Sequence, residues 1–278
     1  MVRLSVVIVS FNSAATLPVC LQALRDHGPM PPHDIVVVDN ASQDGTAAML
    51  ARDWPSVTLL RHDANLGFAA ANNRGIRATS GERLLLLNPD AAVTPHAVEG
   101  LMAALDSDPT IGIAGPRLVD ADGRAELSFG PHISPLGEAW QKLRVRALVQ
   151  RWPILGARVE RETHRPGHPD WVSGACWLAR RPVLEGAGLF DERFFLYTED
   201  VDLCARVRTA GHRIAFVPSS EVRHTRGASR ATAPGAAETH YRRSQVAFYE
   251  KHHPQWAPLL RAYLMLKGAL PDTSKQRP

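Results

Sequence analysis

The stretch "LLLLNPDAAV", residues 84–93, ends a leucine run in an amide, a proline and a carboxylate. Asn88 and Asp90 offer hard oxygen ligands of the kind that hold Mg²⁺ or Mn²⁺. An ion held by so few protein groups usually borrows further ligands from a substrate diphosphate. The same residues also read as an Asn-Pro-Asp turn, common where a strand surfaces. His224 is one of 12 histidines. Its imidazole completes a metal shell if the fold brings it near, and suits Mn²⁺ better than Mg²⁺; on its own it also reads as a structural histidine. Glu199, Asp200 and Asp202 open a helical pattern. Acids there favour the helix dipole, and clustered carboxylates raise one another's pKa, which suits a general base near neutral pH. Asp39 closes a second apolar run. A carboxylate in that place accepts hydrogen bonds from a ribose or a base edge, or caps a turn within "DNASQDGT".

What must position these groups is an alternation of strands and helices. Residues 4–9, LSVVIV, are apolar almost throughout, as in a strand buried on both faces of a parallel sheet. Ser10-Phe11-Asn12 breaks the run. Leu17, Cys20, Leu21 and Leu24 then recur at helical spacing up to Gly28-Pro29. Further strands are predicted over 35–38, 57–60, 84–87 and 111–114, with helices over 45–52, from Phe68 to about 78, and after Thr94-Pro95 as N-cap and first helical residue. This order predicts an α/β layered fold with a mostly parallel central sheet flanked by helices. Ligands of such sheets sit beyond the carboxyl ends of the strands. Three strands there end in polar groups: Ser10 to Asn12, Asp39-Asn40, and Asn88 to Asp90. Trp171 to Leu178 reads as a strand with Gly174 inside it, where a ligand or another backbone comes close. Helical periodicity also runs from Val201 to Val207 and through the tail from about Glu238.

The totals narrow the classes. The chain has 278 residues, 45% hydrophobic and 22% charged, enough for a large core without disulfides. Cys20, Cys176 and Cys204 lie apart in apolar surroundings and read as core thiols. A net charge of +4 suits a nucleotide diphosphate or an anionic lipid head as well as nucleic acid, and no nucleic-acid motif is present. No run is long enough to span a bilayer. There is no G-x-G-x-x-G after the first strand and no G-x-x-x-x-G-K-[ST], so neither a dinucleotide fold nor a P-loop is expected. Residues 138–165 carry an excess of basic residues with Trp140 and Trp152 among them. They read as a solvated face with two buried indoles, or as a segment lying on an anionic membrane.

Together the motifs resemble the inverting family 2 glycosyltransferases of GT-A fold, in the bacterial rhamnosyltransferase-like branch. The matching stretches are "SVVIVSFNS" (5–13), "VVVDNASQDGT" (36–46), "NLGFAAANNRG" (65–75), "LLLLNPDAAV" (84–93), "WVSGACWLARR" (171–181), "FDERFFLYTEDVDLCARVRTAGHRI" (190–214) and "RHTRGAS" (223–229). The resemblance implies a GT-A domain over residues 1–230, with a nucleotide-binding half (1–118), an acceptor and catalytic half (119–230) holding the basic insert, and a helical extension (231–278). It implies that Ser10, Phe11, Asn12 and Asp39 hold the nucleoside, with Asn65 and Gly67 on the donor side. Asn88-Pro89-Asp90 stands for the family's D-x-D motif, with Asn in place of the first acid, so Asp90 and His224 become the metal ligands. Gly174 and Ala175 line the sugar and acceptor pocket. Asp200 is the expected base, Glu199 positions acceptor or sugar, and Arg226 and Arg230 offset charge on the diphosphate.

The implied activity is transfer of a sugar, first a deoxysugar such as rhamnose, from a nucleotide diphosphate donor to a hydroxyl of a glycan or lipid-linked acceptor in cell-surface polysaccharide synthesis. The cofactor is Mn²⁺ or Mg²⁺; nucleic acid is no partner. The expected place is the cytoplasm, with peripheral contact at the inner face of the membrane. A nucleotidyltransferase would show a glycine-rich basic loop after the first strand, which "SFNSAATLP" lacks. A non-catalytic sugar-nucleotide-binding or scaffold protein has no chemical need for Asp90, Asp200 and His224 together.

Overall fold

A computed structural model describes residues 3–28, 33–225 and 234–271. One large sheet organises them, with strand order β3 (Thr58–Arg61), β2 (His33–Asp39), β1 (Leu4–Ser10), β4 (Arg83–Leu87), β10 (Cys176–Arg180), β6 (Ile111–Val119), β11 (Arg213–His224), β5 (Ala91–Val93), and β7 (Ala125–Glu126) added beside β6. Its first part is parallel: β1 lies between β2 and β4, and β3 follows β2. Every residue of β1 and β4 is buried, which explains why their sequences are apolar without alternation. Helices cover both faces. Val6, Ile8, Leu85 and Leu87 pack under α1 (Leu17–His27) and α4 (Ala97–Ser107). Val7, Leu84 and Leu86 point the other way, toward α3 (Phe68–Arg77), α7 (Arg181–Gly186) and α8 (Glu199–Thr209). Each buried leucine contributes roughly 1.5–3 kcal/mol. α2 (Thr46–Asp53) fills the connection between β2 and β3.

The second part of the sheet is mixed. β10 (Cys176–Arg180) runs antiparallel between β4 and β6 (Ile111–Val119). β11 (Arg213–His224) is parallel to β6 and antiparallel to β5 (Ala91–Val93). β7 (Ala125–Glu126) pairs with the end of β6, and β8 (Phe129–Gly130) pairs with β9 (Trp171–Val172) in a small separate sheet. The expected single strand over Trp171 to Leu178 is therefore two, β9 and β10, broken at Ser173 to Ala175. The helix expected at Thr94-Pro95 starts at Ala97 instead, after His96 at a φ of 63°. The Thr94 hydroxyl is spent elsewhere, donating to the Glu221 carbonyl of β11 at 2.7 Å.

The basic segment forms α5 (Pro135–Val149) and α6 (Leu155–Glu162). Ser134 caps α5 by accepting from the Gly137 amide, and Pro135 opens it. The alternative of two buried indoles is not what forms: Trp140 is 48% exposed and Trp152 half-buried. The tail folds as α9 (Pro234–His252) and α10 (Ala257–Leu266). Glu138 of α5 ties the two regions, accepting from Tyr241, Gln245 and Tyr249 of α9. Phe248 and Tyr249 pack on Phe194 and Val201 beside them.

Candidate active site

The carboxyl ends of β1 and β4, the break between β9 and β10, and the start of α8 enclose a cleft of about 380 Å³. Phe11, Asn65, Gly67, Asn88, Asp90 and His224 line it on the sheet side. Gly174, Ala175, Glu199 and Asp200 line it as well, Ala175 next to Asn88, whose amide donates to the Ala175 carbonyl at 2.9 Å.

Asp90 and His224 are 134 residues apart in sequence, and strand pairing joins them. His224 lies opposite Ala91 across the β11–β5 pair, and the Thr225 amide donates to the Asp90 carbonyl at 2.9 Å. The His224 Nε2 then stands 3.3 Å from Asp90 Oδ1. Its Nδ1 stands 3.1 Å from Glu126 Oε2. Burial works against an imidazolium here, but the hydrogen bonds to Asp90 and Glu126 outweigh it and raise the pKa from 6.5 to about 9. Buried Asn88 Oδ1 has no hydrogen-bond partner among the described residues. A carboxylate oxygen, an imidazole nitrogen 3.3 Å from it that would give up its proton on coordination, and a spare amide oxygen fit a divalent cation such as Mn²⁺. No group of three His, Cys, Asp or Glu side chains among the described residues could cage an ion. Glu126 was missed in the sequence. It sits two residues past a turn, and only the β7–β6 pairing, with Glu126 opposite Leu118, brings it to the histidine.

The other wall is built with strain. Tyr197 and Thr198 both take left-handed backbone, at φ of 71° and 62°, immediately before α8. A β-branched residue rarely accepts that conformation, which costs of order 1–3 kcal/mol. The two residues turn the chain so that Glu199 and Asp200 form the first turn of α8 at the cleft. Asp200 Oδ2 accepts from the Gly174 amide and Oδ1 from the Val201 amide, each at 2.8 Å. A side chain at Gly174 would stand 3.2 Å from the Asp200 Cβ. The close approach expected at Gly174 is therefore that of the Asp200 side chain. Burial raises the Asp200 carboxyl despite those two amides. Glu199 is 6% exposed, with Oε2 unpartnered among the described residues. Burial first, and the neighbouring Asp200 second, push its carboxyl well above the ordinary carboxylate range. Asp202 turns away and binds Arg206, Lys251 and His252, joining α8 to α9.

Glu199 carries a stability prediction. A carboxyl whose folded pKa is raised binds more protons folded than unfolded, so the fold loses stability as pH rises above the unfolded value. Glu199→Gln should raise the melting temperature at pH 7–8 by a few degrees, since each kcal/mol recovered is worth about 2 °C in a chain of this size. The gain should shrink to nothing near pH 4, where both states are protonated. Melting scans across pH decide it; an equal gain at pH 4 would assign the effect to packing.

Ser10 and Asp39, which lie beside the cleft-lining Val9, Phe11 and Asn40 and are not themselves among its lining residues, face each other across the β1–β2 pair. Both are buried, and neither the Ser10 hydroxyl nor either Asp39 oxygen has a hydrogen-bond partner among the described residues. The Arg61 guanidinium is 3.9 Å from Asp39. A buried carboxylate without donors is costly, so this corner suits a ligand that brings N–H or O–H groups. Asn12 does other work: its Oδ1 accepts from the Gln43 amide at 2.8 Å and its own amide donates to Ser42. Asn65 is also engaged, its Oδ1 accepting from Asn40 and from the Gly67 amide. Gly67, at a φ of +84°, leaves room for the Phe195 carbonyl, which accepts from the Phe68 amide at 2.6 Å. Asn40, absent from the expected site, lines the cleft and binds the Leu66 amide and Gly67 carbonyl. Arg226 and Arg230 lie outside the described residues.

The model of the family described as glycosyl transferase family 2 matches residues 5–186. An N-acetylglucosaminyl-diphospho-decaprenol L-rhamnosyltransferase of Mycobacterium tuberculosis is 31% identical, over 88% of this chain and 87% of its own length. Among solved structures, a mannosyltransferase of Pyrobaculum calidifontis in complex with GDP-Man and Mn²⁺ superposes with a TM-score of 0.62 at 20% identity, covering 94% of this chain and 69% of that one. GalNAc-T7 with UDP, GalNAc and Mn²⁺ gives a TM-score of 0.61 at 20% identity over 81% of this chain, which spans 43% of that protein. The two likenesses show the fold, a GT-A arrangement.

Proposed function

The chain belongs to glycosyl transferase family 2 and is a glycosyltransferase, and from that premise we propose a metal-dependent, inverting transfer of a sugar from a nucleotide diphosphate donor to a hydroxyl of a lipid-linked or glycan acceptor. The observation that carries the reading is one cleft holding the Asp90–His224 pair on one wall and the Glu199–Asp200 pair on the other. The M. tuberculosis relative favours L-rhamnose as the sugar and a diphospho-polyprenol-linked GlcNAc as the acceptor. No helix among the described residues is long and apolar enough to cross a membrane.

Ser10 and Asp39 supply unpaired acceptors for a base or ribose. Asp90 and His224 would hold the divalent ion, which when bound offsets negative charge on the diphosphate. Asp200 takes the proton from the acceptor hydroxyl as that oxygen attacks the anomeric carbon. The new carbon–oxygen bond forms as the bond to the diphosphate oxygen breaks, and the nucleoside diphosphate leaves with that electron pair. One displacement inverts the anomeric configuration. The amides of Gly174 and Val201 fix the Asp200 carboxylate, and its raised pKa makes it a stronger base than a solvated aspartate. Glu199, kept neutral by burial, has a proton to donate to a sugar or acceptor oxygen.

The test is ligand protection with a panel of dTDP-, UDP- and GDP-sugars, in Mn²⁺, Mg²⁺ or EDTA. A ligand at about 100 times its Kd adds about 2.7 kcal/mol to stability, or about 5 °C here. One nucleotide sugar should give such a shift, with metal enlarging it, and NMR of the product should show inversion. If none protects at millimolar concentration, the donor reading fails; retention of configuration removes the single displacement.

A further inference from the structure

α5 and α6 are amphipathic in an unusual sense, because their outer face is apolar as well as basic. Leu136, Trp140 and Leu143 are four and three residues apart and so share one side of α5, all three exposed. Leu136 is 85% exposed and Ile154, at the start of α6, 86%. Large apolar side chains this open, contiguous along a helix, mark a surface that something covers.

The charges around them say what. The segment's acids are already engaged: Glu138 binds Tyr241, Gln245 and Tyr249 of α9 and the exposed Lys142, Glu160 reaches Arg117 and His164, and Glu162 holds the buried Arg144 and the exposed Arg158. Other outward cations are left over. Arg146, Arg151 and Arg161 are exposed and form no ion pair among the described residues. An apolar stripe edged by unpaired arginines matches the interface of an anionic bilayer, whose acyl boundary takes the leucines and tryptophan and whose headgroups take the guanidiniums. The stripe on α10, with Leu259, Tyr263 and Leu266 exposed, carries less free charge: Arg261 is paired with Glu250, which leaves Lys267, over the Tyr263 ring, as its one cation without an ion pair among the described residues.

We propose that this outer face of α5 and α6 docks the enzyme on an anionic lipid bilayer. Its position relative to the cleft fits. The opposite side of α5, through Val145, Leu148 and Val149, walls a hollow of about 380 Å³ that ends at His224, and His224 also lines the cleft. Docking through α5 would therefore set a bilayer beside the route to the active site, a consequence that rests on the lipid-linked acceptor reading; the docking itself does not.

The experiment is co-sedimentation of the full chain with vesicles of phosphatidylcholine alone or mixed with phosphatidylglycerol, without donor or acceptor. Binding should need phosphatidylglycerol and fall with salt. Replacing Arg146, Arg151 and Arg161 by Gln should weaken it by about 10²-fold, at roughly a factor of five per cation. Trp140→Ala with Ile154→Ser should weaken it as well, and neither variant should change the melting temperature. Nucleotide-sugar protection in the absence of vesicles should match wild type in both, so failure of docking and failure of the donor reading are separable. The proposal is overturned by equal binding to neutral and anionic vesicles, by no binding, or by binding that the arginine variant keeps. Loss on changing Leu259 and Tyr263 in place of the α5 residues would overturn it too, by moving the contact to α10.

Discussion

Asp200→Asn should lower kcat by about 10²–10⁴-fold, the range that removal of a general base commonly costs, while nucleotide-sugar protection stays near wild type. In the proposed mechanism Asp200 acts on the acceptor hydroxyl and the sheet edge holds the donor, so the two properties should separate. The asparagine keeps the volume of the side chain beside Gly174, where even a methyl group would come within 3.2 Å of the Asp200 Cβ, but its NH2 cannot accept from the second of the two amides that bind Asp200, so an unchanged melting temperature is required before the loss is assigned to chemistry. The pH profile adds a second reading. Burial lifts the Asp200 carboxyl above its ordinary 3.8, and the base works only when ionised. Wild-type kcat/KM should therefore fall as pH drops through a value above the usual aspartate range, and the residual activity of the variant should lose that limb. A variant within threefold of wild type would remove Asp200 from the chemistry.

Legibility in the sequence followed the range of the interactions. The strands β1, β2 and β4 and the helices between them were readable because each is a continuous apolar or periodic run, and their polar ends located one wall of the cleft. The antiparallel insertion of β10 between β4 and β6 was not, since strand direction depends on a long irregular connection with no periodicity of its own. Asp90 stood out at a strand end. That His224 stands 3.3 Å from it follows from the register of β11 on β5, a property of two distant segments. Glu126 had no local signal at all. Gly174 was readable as a place of close approach, but that the Asp200 carboxylate was the approaching group needed the turn at Tyr197-Thr198. Asn12 and Asn65 read as ligand contacts, yet their amide oxygens are spent on Gln43 and on Asn40 and Gly67.

Removing Asp90 should be the other large loss, and its pattern distinguishes a metal site from a simple ion pair. As a pair, Asp90 and His224 stabilise each other, so Asp90→Ala would lower the melting temperature by leaving a buried imidazolium with Glu126 alone, and chelation would change nothing. As metal ligands they behave differently. Asp90→Ala should abolish the metal-dependent part of nucleotide-sugar protection and cost about 10²–10³-fold in kcat, the scale of losing one electrostatic stabiliser of the transition state. Chelated wild type should look like the variant. His224→Ala should look like it too, and the double variant should be little worse than either single, because both side chains act through one ion and their losses cannot add. Asp90→Asn refines the result. It leaves an oxygen like that of Asn88 but removes the charge, so a metal response that survives in Asp90→Asn would show that the ion is held by neutral oxygens and the diphosphate. Isothermal titration of Mn²⁺ into wild type, Asp90→Ala and Asp90→Asn, with and without nucleotide, reads these outcomes directly. Additive losses from Asp90→Ala and His224→Ala, with no effect of EDTA on wild type, would leave the cleft a glycosyltransferase site that works without a cation.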